Sequence, residues 1–346
     1  MDGLNPKPPL PPMEAKLVDA LPAEDGWQYE PKWDGFRCLV FRDGEEVVLQ
    51  SKAERPLGRF FPEVVEQVRR LSPTRFVLDG ELIVPVGDVL SFDALQQRLH
   101  PAESRINKLS RDTPAQLMLF DLLGCEEESL AAVPLRERRA ALERFHQAHG
   151  SPDLLLSPAT RSLEVAQGWL RAAGSALDGV MAKRLDAPYR PGERAMLKVK
   201  QLRTADCVVG GFRYLQNKAV VGSLLLGLYN DQGLLDHVGF TSNLPGGEAR
   251  EALTRELEAM IEAPGFTGRA PGGPSRWATG RSTQWQPVRP ERVVEVRYDQ
   301  VTGGRLRHGA AFLRWRPDKS PRQCGQEQLQ HPLRPAALAV DLEAGG

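Results

Sequence analysis

The sequence predicts an α+β domain built on antiparallel sheets, followed by a smaller all-β domain closing into a barrel. Strand and helix patterns mix without strict alternation up to about residue 200, whereas from residue 206 onward the texture is mostly strand. A chain of 346 residues is long enough to bury two cores without disulfides or structural metal.

Each element has its own signal. After a Pro-rich lead at 5–12, residues 36–51 alternate apolar and polar around Asp43-Gly44, which reads as a hairpin. Residues 61–71 have helical spacing, 75–85 read as a strand, and Ser91 can cap a short helix ending near His100. An apolar strand at 116–123 precedes a helix at 134–149, with Pro134 at its start and Gly150 just past its end. A second helix spans 162–173 and ends at Gly174, and strands follow at 178–184 and 195–200. Five more strands, at 206–214, 220–229, 234–240, 292–298 and 312–316, are interrupted by one helix near 248–262, a pattern that suits a small closed barrel. The boundary near 201–205 gives domains at 13–202 and 203–325 and a polar C-terminal tail at 326–346.

Composition excludes several classes. At 41% hydrophobic and 26% charged, the chain is too apolar and too balanced to be disordered. No run approaches the roughly 20 apolar residues of a membrane span, and the N-terminus lacks an export signal, so a cytoplasmic location is expected. Cys38, Cys125, Cys207 and Cys324 are scattered and lack zinc spacing, which predicts free thiols. The zero net charge hides an asymmetry: residues 1–200 carry 27 basic and 30 acidic side chains, and residues 201–346 carry 18 and 15. The cations gather at 181–203 and 305–319, which suits a polyanion bound with marked salt sensitivity.

The first candidate for chemistry is Lys32-Trp33-Asp34-Gly35, with Arg37 two residues on. A KxDG string arises by chance in roughly one protein of this length in ten. A lysine becomes a nucleophile only when its ammonium loses a proton, which burial or neighbouring cations promote. Such cations occur at Lys198 and Lys200, which strand spacing places on one face, although two lysines alone more often mark a solvated strand face. Their surroundings add Lys183, Arg184, Arg190, Arg194 and Arg203 against only Asp186 and Glu193, an excess that suits a nucleotide phosphate chain. Asp79 and Glu81 share a face of an otherwise apolar strand, while Asp121 and Asp178 read either as site residues or as strand-end residues. Mg²⁺ is typically held by one or two carboxylates plus phosphate oxygens and waters, and Glu81 and Asp178 are the candidates. Finally, Arg314-Trp315-Arg316-Pro317-Asp318-Lys319 ends a stretch that includes Arg305 and Arg307. It reads as a nucleic-acid-binding strand of a barrel or as soluble surface.

Taken in order, KWDG (32–35), SKAERPLGRFFPE (51–63), VLDGEL (77–82), LMLFDLL (117–123), DGVMAKR (178–184), LKVK (197–200) and RPDK (316–319) resemble the motifs of the covalent nucleotidyltransferases. The resemblance is closest to the ATP-dependent DNA ligases and covers about 13–320; within them it is nearest the small stand-alone bacterial ligase C group of end joining and repair. It implies a nucleotidyltransferase (adenylation) domain followed by an OB-fold, and a monomer that seals nicked double-stranded DNA through lysyl-AMP and DNA-adenylate intermediates. ATP would be the AMP donor and Mg²⁺ or Mn²⁺ the metal, with other repair proteins as partners and a place at the bacterial nucleoid.

The resemblance also implies roles. Lys32 attacks the α-phosphorus of ATP; Glu30 and the ring of Phe120 hold adenine; Arg37 and Glu81 contact ribose; Lys198 and Lys200 grip the α-phosphate. Asp178 and Glu81 place the metal, and Arg316 with Lys319 orients the leaving pyrophosphate, the barrel swinging about 201–205 between steps. Three positions depart from the pattern: Asp178 stands where many ligases have Glu, Met196 where many have an aromatic residue, and Lys52 replaces an arginine in the nucleotide-binding segment. The alternatives are an RNA ligase or RNA-capping nucleotidyltransferase, and, from another class, a non-catalytic OB-fold module that binds nucleic acid.

Overall fold

The computed structural model describes residues 1, 3–87, 89–172, 177–200, 203–272, 284–307 and 309–329, and the chain divides into two compact units, Met1–Gln201 and Leu202–His331.

In the first unit, strands β1 (Ala15–Leu17), β2 (Trp27–Trp33), β3 (Phe36–Asp43), β4 (Glu46–Ser51) and β5 (Arg75–Ile83) precede β6 (Gln116–Cys125), β7 (Leu154–Leu156), β8 (Leu177–Arg184) and β9 (Met196–Val199). Helices α1 (Pro62–Arg69), α2 (Phe92–Gln97), α3 (Glu103–Asp112), α4 (Leu135–His149) and α5 (Leu163–Ala172) lie between them. The strands form two sheets, ordered β1-β9-β8-β2 and β7-β6-β5-β3-β4, antiparallel except for β1 on β9 and β7 on β6. Alternation along β3 and β5 splits the larger sheet into two apolar faces. Cys38, Val40, Phe76 and Leu78 join a core with Val64 of α1 and Leu142 of α4, while Leu39, Phe41 and Val77 join Met13, Tyr189 and Met196. The smaller sheet buries Tyr29, Val180 and Ala182 together with Ala166 and Trp169 of α5.

Several elements fall close to their sequence signals. Ser91 caps α2 by accepting from the Ala94 N–H (3.1 Å). The hairpin turn, however, lies one residue later than expected: Asp43 pairs with Glu46, so Gly44 and Glu45 form the loop, and Gly44 takes the positive φ of +63° that a two-residue turn of this kind requires. The Pro-rich lead belongs to the packed unit, since Leu4 and Leu10 are buried and the Leu10 N–H donates to Gln50 Oε1 (3.0 Å). Gly174 lies outside the described residues. All four cysteines are free, and among the described residues no helix is long and apolar enough to cross a membrane.

The second unit holds β10 (Arg203–Tyr214), β11 (Val221–Tyr229), β12 (Leu235–Thr241), helix α6 (Glu248–Glu258), β13 (Val293–Tyr298) and β14 (Ala311–Trp315), in the order β12-β11-β10-β13-β14, all antiparallel. Leu253 and Leu257 of α6 pack into its core with Val208, Leu226 and Val294. The expected barrel closure is carried among the described residues by one bridge, Thr241 to Ala310, and not by a ladder. Part of the expected polar tail is structural: Gln326–Leu329 forms a short 3₁₀ turn and buries Leu329 in this core.

Candidate active site

A cavity of about 870 Å³ in the first unit is lined from both sheets, including Glu30, Lys32, Arg37, Glu81, Phe120, Lys183 and Lys198. Its volume lies in the range of small-ligand pockets. Period-two alternation in β2 puts Glu30 and Lys32 on the same face and turns Trp33 the other way, where its Nε1–H donates to Ser157 Oγ (2.9 Å) and pins the strand end. The turn after Lys32 needs a glycine, because a Cβ at Gly35 would lie 2.2 Å from the Leu82 carbonyl oxygen of β5.

Lys32 meets its partner through a backbone irregularity. Across β8 and β2, Leu177 pairs with Trp33 and Gly179 with Lys32, so Asp178 is the extra residue of a bulge. Bulges re-aim side chains, and here Asp178 Oδ2 lies 2.5 Å from Lys32 Nζ and 3.0 Å from Lys200 Nζ. Gly179 makes the bulge possible: its φ is +139°, and a Cβ there would lie 2.0 Å from the Val199 carbonyl oxygen of β9. Lys198, paired across the sheet with Met181, has its ammonium pKa lowered by burial and then by the neighbouring Lys32, Lys200 and Lys52 charges.

At the Glu30 end, the carboxylate is 2% exposed and doubly held: Lys183 Nζ donates to Oε2 (2.7 Å) and Gln28 Nε2 to Oε1 (2.8 Å). Lys183 Nζ also lies 4.8 Å from the centroid of the Phe120 ring, and Arg37 Cζ lies 4.7 Å from it. The sequence marks Lys183 only as one cation of a patch; its alternation with core-facing Ala182 along β8, on the same face as Met181, is the signal that it faces the cavity.

Arg37 lines the cavity, but Asp79 takes its Nε and Nη2 at 2.5 and 2.6 Å, and the Tyr189 hydroxyl donates to the same carboxylate (2.7 Å). Of the two acids on β5, then, Asp79 is a fully buried partner of Arg37 and Glu81 opens onto the cavity. The Gly35 N–H donates to Glu81 Oε1 (3.2 Å), and burial, opposed by Lys32 and Arg37, pushes the Glu81 carboxyl up to about 7. Asp121 is structural: Arg138 of α4 donates to both its oxygens, at 2.8 and 3.1 Å, in a buried pair.

Among the described residues no cluster of three His, Cys, Asp or Glu could cage a metal ion. The donor set fits a metal that completes its shell with phosphate oxygens and water, because Asp178 Oδ1 is buried and has no hydrogen-bond partner.

Lys52 is largely exposed and pairs with Glu14 (3.1 Å), while Met196 is buried against Leu39 and Tyr189. Arg316 and Lys319 lie in the second unit, where both contact Asp206, at 3.0 and 2.8 Å. In the same basic stretch Trp315 packs against the core, and Arg314 pairs with Glu295 (2.6 Å), so Trp315 does not stand out as a free stacking platform.

Two family models match: residues 12–200 fit the "ATP dependent DNA ligase domain" and residues 217–319 the "ATP dependent DNA ligase C terminal region". The chain is 46% identical to DNA ligase C of Mycobacterium tuberculosis, over 94% of this chain and 95% of that protein. It is 32% identical to the multifunctional non-homologous end joining DNA repair protein LigD of the same species, over 87% of this chain and 37% of LigD. A solved structure from a study of Lig E DNA ligases shares the fold, with a TM-score of 0.53 at 18% identity, covering 88% of this chain and 99% of that one. With its adenylation domain and C-terminal domain both matched, and close relatives along nearly its whole length, the chain belongs to the ATP-dependent DNA ligases.

Proposed function

We propose that Lys32 is the adenylylated nucleophile and that this cavity is where ATP is activated. The observation that carries the proposal is the bulge, which sets the Asp178 carboxylate between Lys32 and Lys200 beside a cavity large enough for a nucleotide. The deprotonated amine of Lys32 attacks the α-phosphorus. The bond to the β-phosphate oxygen breaks, pyrophosphate leaves, and AMP stays on Nζ as a phosphoramidate. Lys198 and Lys200 balance the charge on the α-phosphate in the transition state. Asp178 fixes the direction of Lys32.

Glu30, held by Lys183 and Gln28, receives the exocyclic amine of adenine, and Phe120 offers its ring to the base. Glu81 and Arg37 contact the ribose from the same wall of the cavity, Arg37 being held there by the two nitrogens it gives to Asp79. Lys52 serves the phosphates as a point charge, and Arg316 and Lys319 bind the leaving pyrophosphate. A divalent metal, Mg²⁺, is expected for the family. Asp178, with Glu81 behind it, would hold it, and when bound it neutralises phosphate charge and aligns the leaving group. AMP then passes to the 5′-phosphate of a nick, and the 3′-hydroxyl displaces it, sealing the strand.

The domain bounds are proposed to follow these roles, with adenylation ending by residue 202 and an OB-type module beyond. Action in end-joining repair is supported by the likeness to LigD, a non-homologous end joining DNA repair protein; work as a monomer, beside other repair proteins and at the nucleoid, is proposed with it. The test is incubation with labelled ATP followed by a nicked duplex. Wild type should be labelled and should seal; Lys32→Ala should do neither with ATP. Labelling of Lys32→Ala at the wild-type level would overturn the assignment.

A further inference from the structure

The second unit contains an ionic group that the ligase motifs leave without a role. Asp206 lies on β10 between Ala205 and Cys207, which face the core. Its carboxylate, 13% exposed, accepts from Arg316 Nη1 at 3.0 Å to each oxygen and from Lys319 Nζ at 2.8 Å. Its backbone is gripped in turn: the Asp206 N–H donates to Gln328 Oε1 (3.0 Å), and Gln328 Nε2 donates to the Asp206 carbonyl (3.2 Å). The Lys319 N–H donates to the Arg316 carbonyl (3.2 Å), and Asp318 takes the Nε and Nη2 edge of Arg316 at 2.9–3.2 Å. The two cations of RPDK are therefore fixed to one point on a rigid strand more than 100 residues earlier in the chain.

We infer that Asp206 is a positioning residue for the first chemical step, aligning Arg316 and Lys319 as one cationic pair for pyrophosphate. Two long flexible side chains would otherwise lose rotamer freedom each time they meet an anion. A shared carboxylate holds them in advance, as effective orientation requires. Asp206 itself does not touch ATP. The inference rests on the reading that Arg316 and Lys319 serve pyrophosphate, and the experiment separates the two.

The full-length protein is assayed as wild type, Asp206→Ala, Asp206→Asn, Asp206→Glu, Lys319→Ala and the Asp206→Ala/Lys319→Ala double variant. The readouts are self-adenylylation at varied ATP, sealing of a nick already carrying AMP, and the melting temperature. Asp206→Ala should slow self-adenylylation by about 100-fold, the scale of a misplaced reacting group. Asp206→Asn should lose less, Asp206→Glu should recover part of the rate, and sealing of the adenylylated nick should stay within about threefold of wild type. In the Lys319→Ala background the Asp206 change should cost no more than roughly threefold further, because the residues act as a unit. Normal self-adenylylation by Lys319→Ala would defeat the underlying reading. Slow Lys319→Ala with normal Asp206→Ala would defeat only the positioning role. Equal loss of both steps in Asp206→Asn, with a lowered melting temperature, would show a purely structural part and also overturn the inference.

Discussion

Replacing Gly179 with alanine adds one methyl group at the point where the bulge touches the neighbouring strand. That Cβ would sit 2.0 Å from the Val199 carbonyl oxygen and 2.9 Å from Lys200 Cα, at a φ of +139° that L-residues rarely adopt. The conformation alone costs about 1–3 kcal/mol. Relief of the contact requires β9 to retreat, or the bulge to flatten, by more than about 1 Å, a displacement that typically costs about 100-fold in rate. Either movement separates Asp178 from Lys32 and Lys200. The assay is the rate of covalent AMP transfer to the protein, with Gly44→Ala as control, since Gly44 also has a positive φ (+63°) but would place its Cβ in open space. Gly44→Ala should lose a little stability and keep the labelling rate, whereas Gly179→Ala should lose both. Equal labelling rates in the two variants would refute the claim that the bulge sets the site.

Two further outcomes follow from buried charge. In the metal-free protein Glu81 has a carboxyl raised by burial from 4.5 to about 7. A raised carboxyl adds stability that is complete below the unfolded value and is lost as pH rises through the folded one. The wild-type melting temperature should therefore fall relative to Glu81→Gln between pH 5 and pH 8, and parallel pH profiles would contradict the assignment. Lys183→Met removes the cation from a Glu30 carboxylate that is 2% exposed. It should destabilise the protein by about 3–5 kcal/mol in denaturant titration, as removal of one member of a buried ion pair does; a loss below about 1 kcal/mol would mean that Gln28 alone satisfies Glu30.

Much of this fold is legible because its signals are local. The 134–149 helix appears as Leu135–His149, and the strand at 75–85 as Arg75–Ile83, because periodicity and terminal residues act over a few positions. The misplaced hairpin turn shows the limit of such signals: Asp-Gly suggested the loop, but the register puts the glycine, with its positive φ, at the first loop position. Helix α3, Glu103–Asp112, went unread because only Ile106 on it is buried, so its apolar stripe is too thin to mark it. Lys32, Glu30, Lys198 and Lys200 each belong to a short string that marks them as candidates, and the structure puts the first three along one cavity and Lys200 against Asp178. What sequence did not show is pairing between distant positions. Arg37 reads from its motif as a residue beside the nucleotide, and that motif gives no sign that Asp79, 42 residues on, takes two of its nitrogens while it lines the cavity. Asp206 has no local motif, its partners lying at Arg316 and Lys319. The bulge at Asp178 is likewise a property of two strands in register and of neither alone.

The most direct test of the account is peptide mapping of the protein after incubation with ATP and Mg²⁺ in the absence of DNA. A single AMP should be found on the peptide that contains Lys32, and it should be discharged when nicked duplex is added. AMP on a different residue, or sealing activity by an enzyme in which Lys32 is never modified, would contradict it.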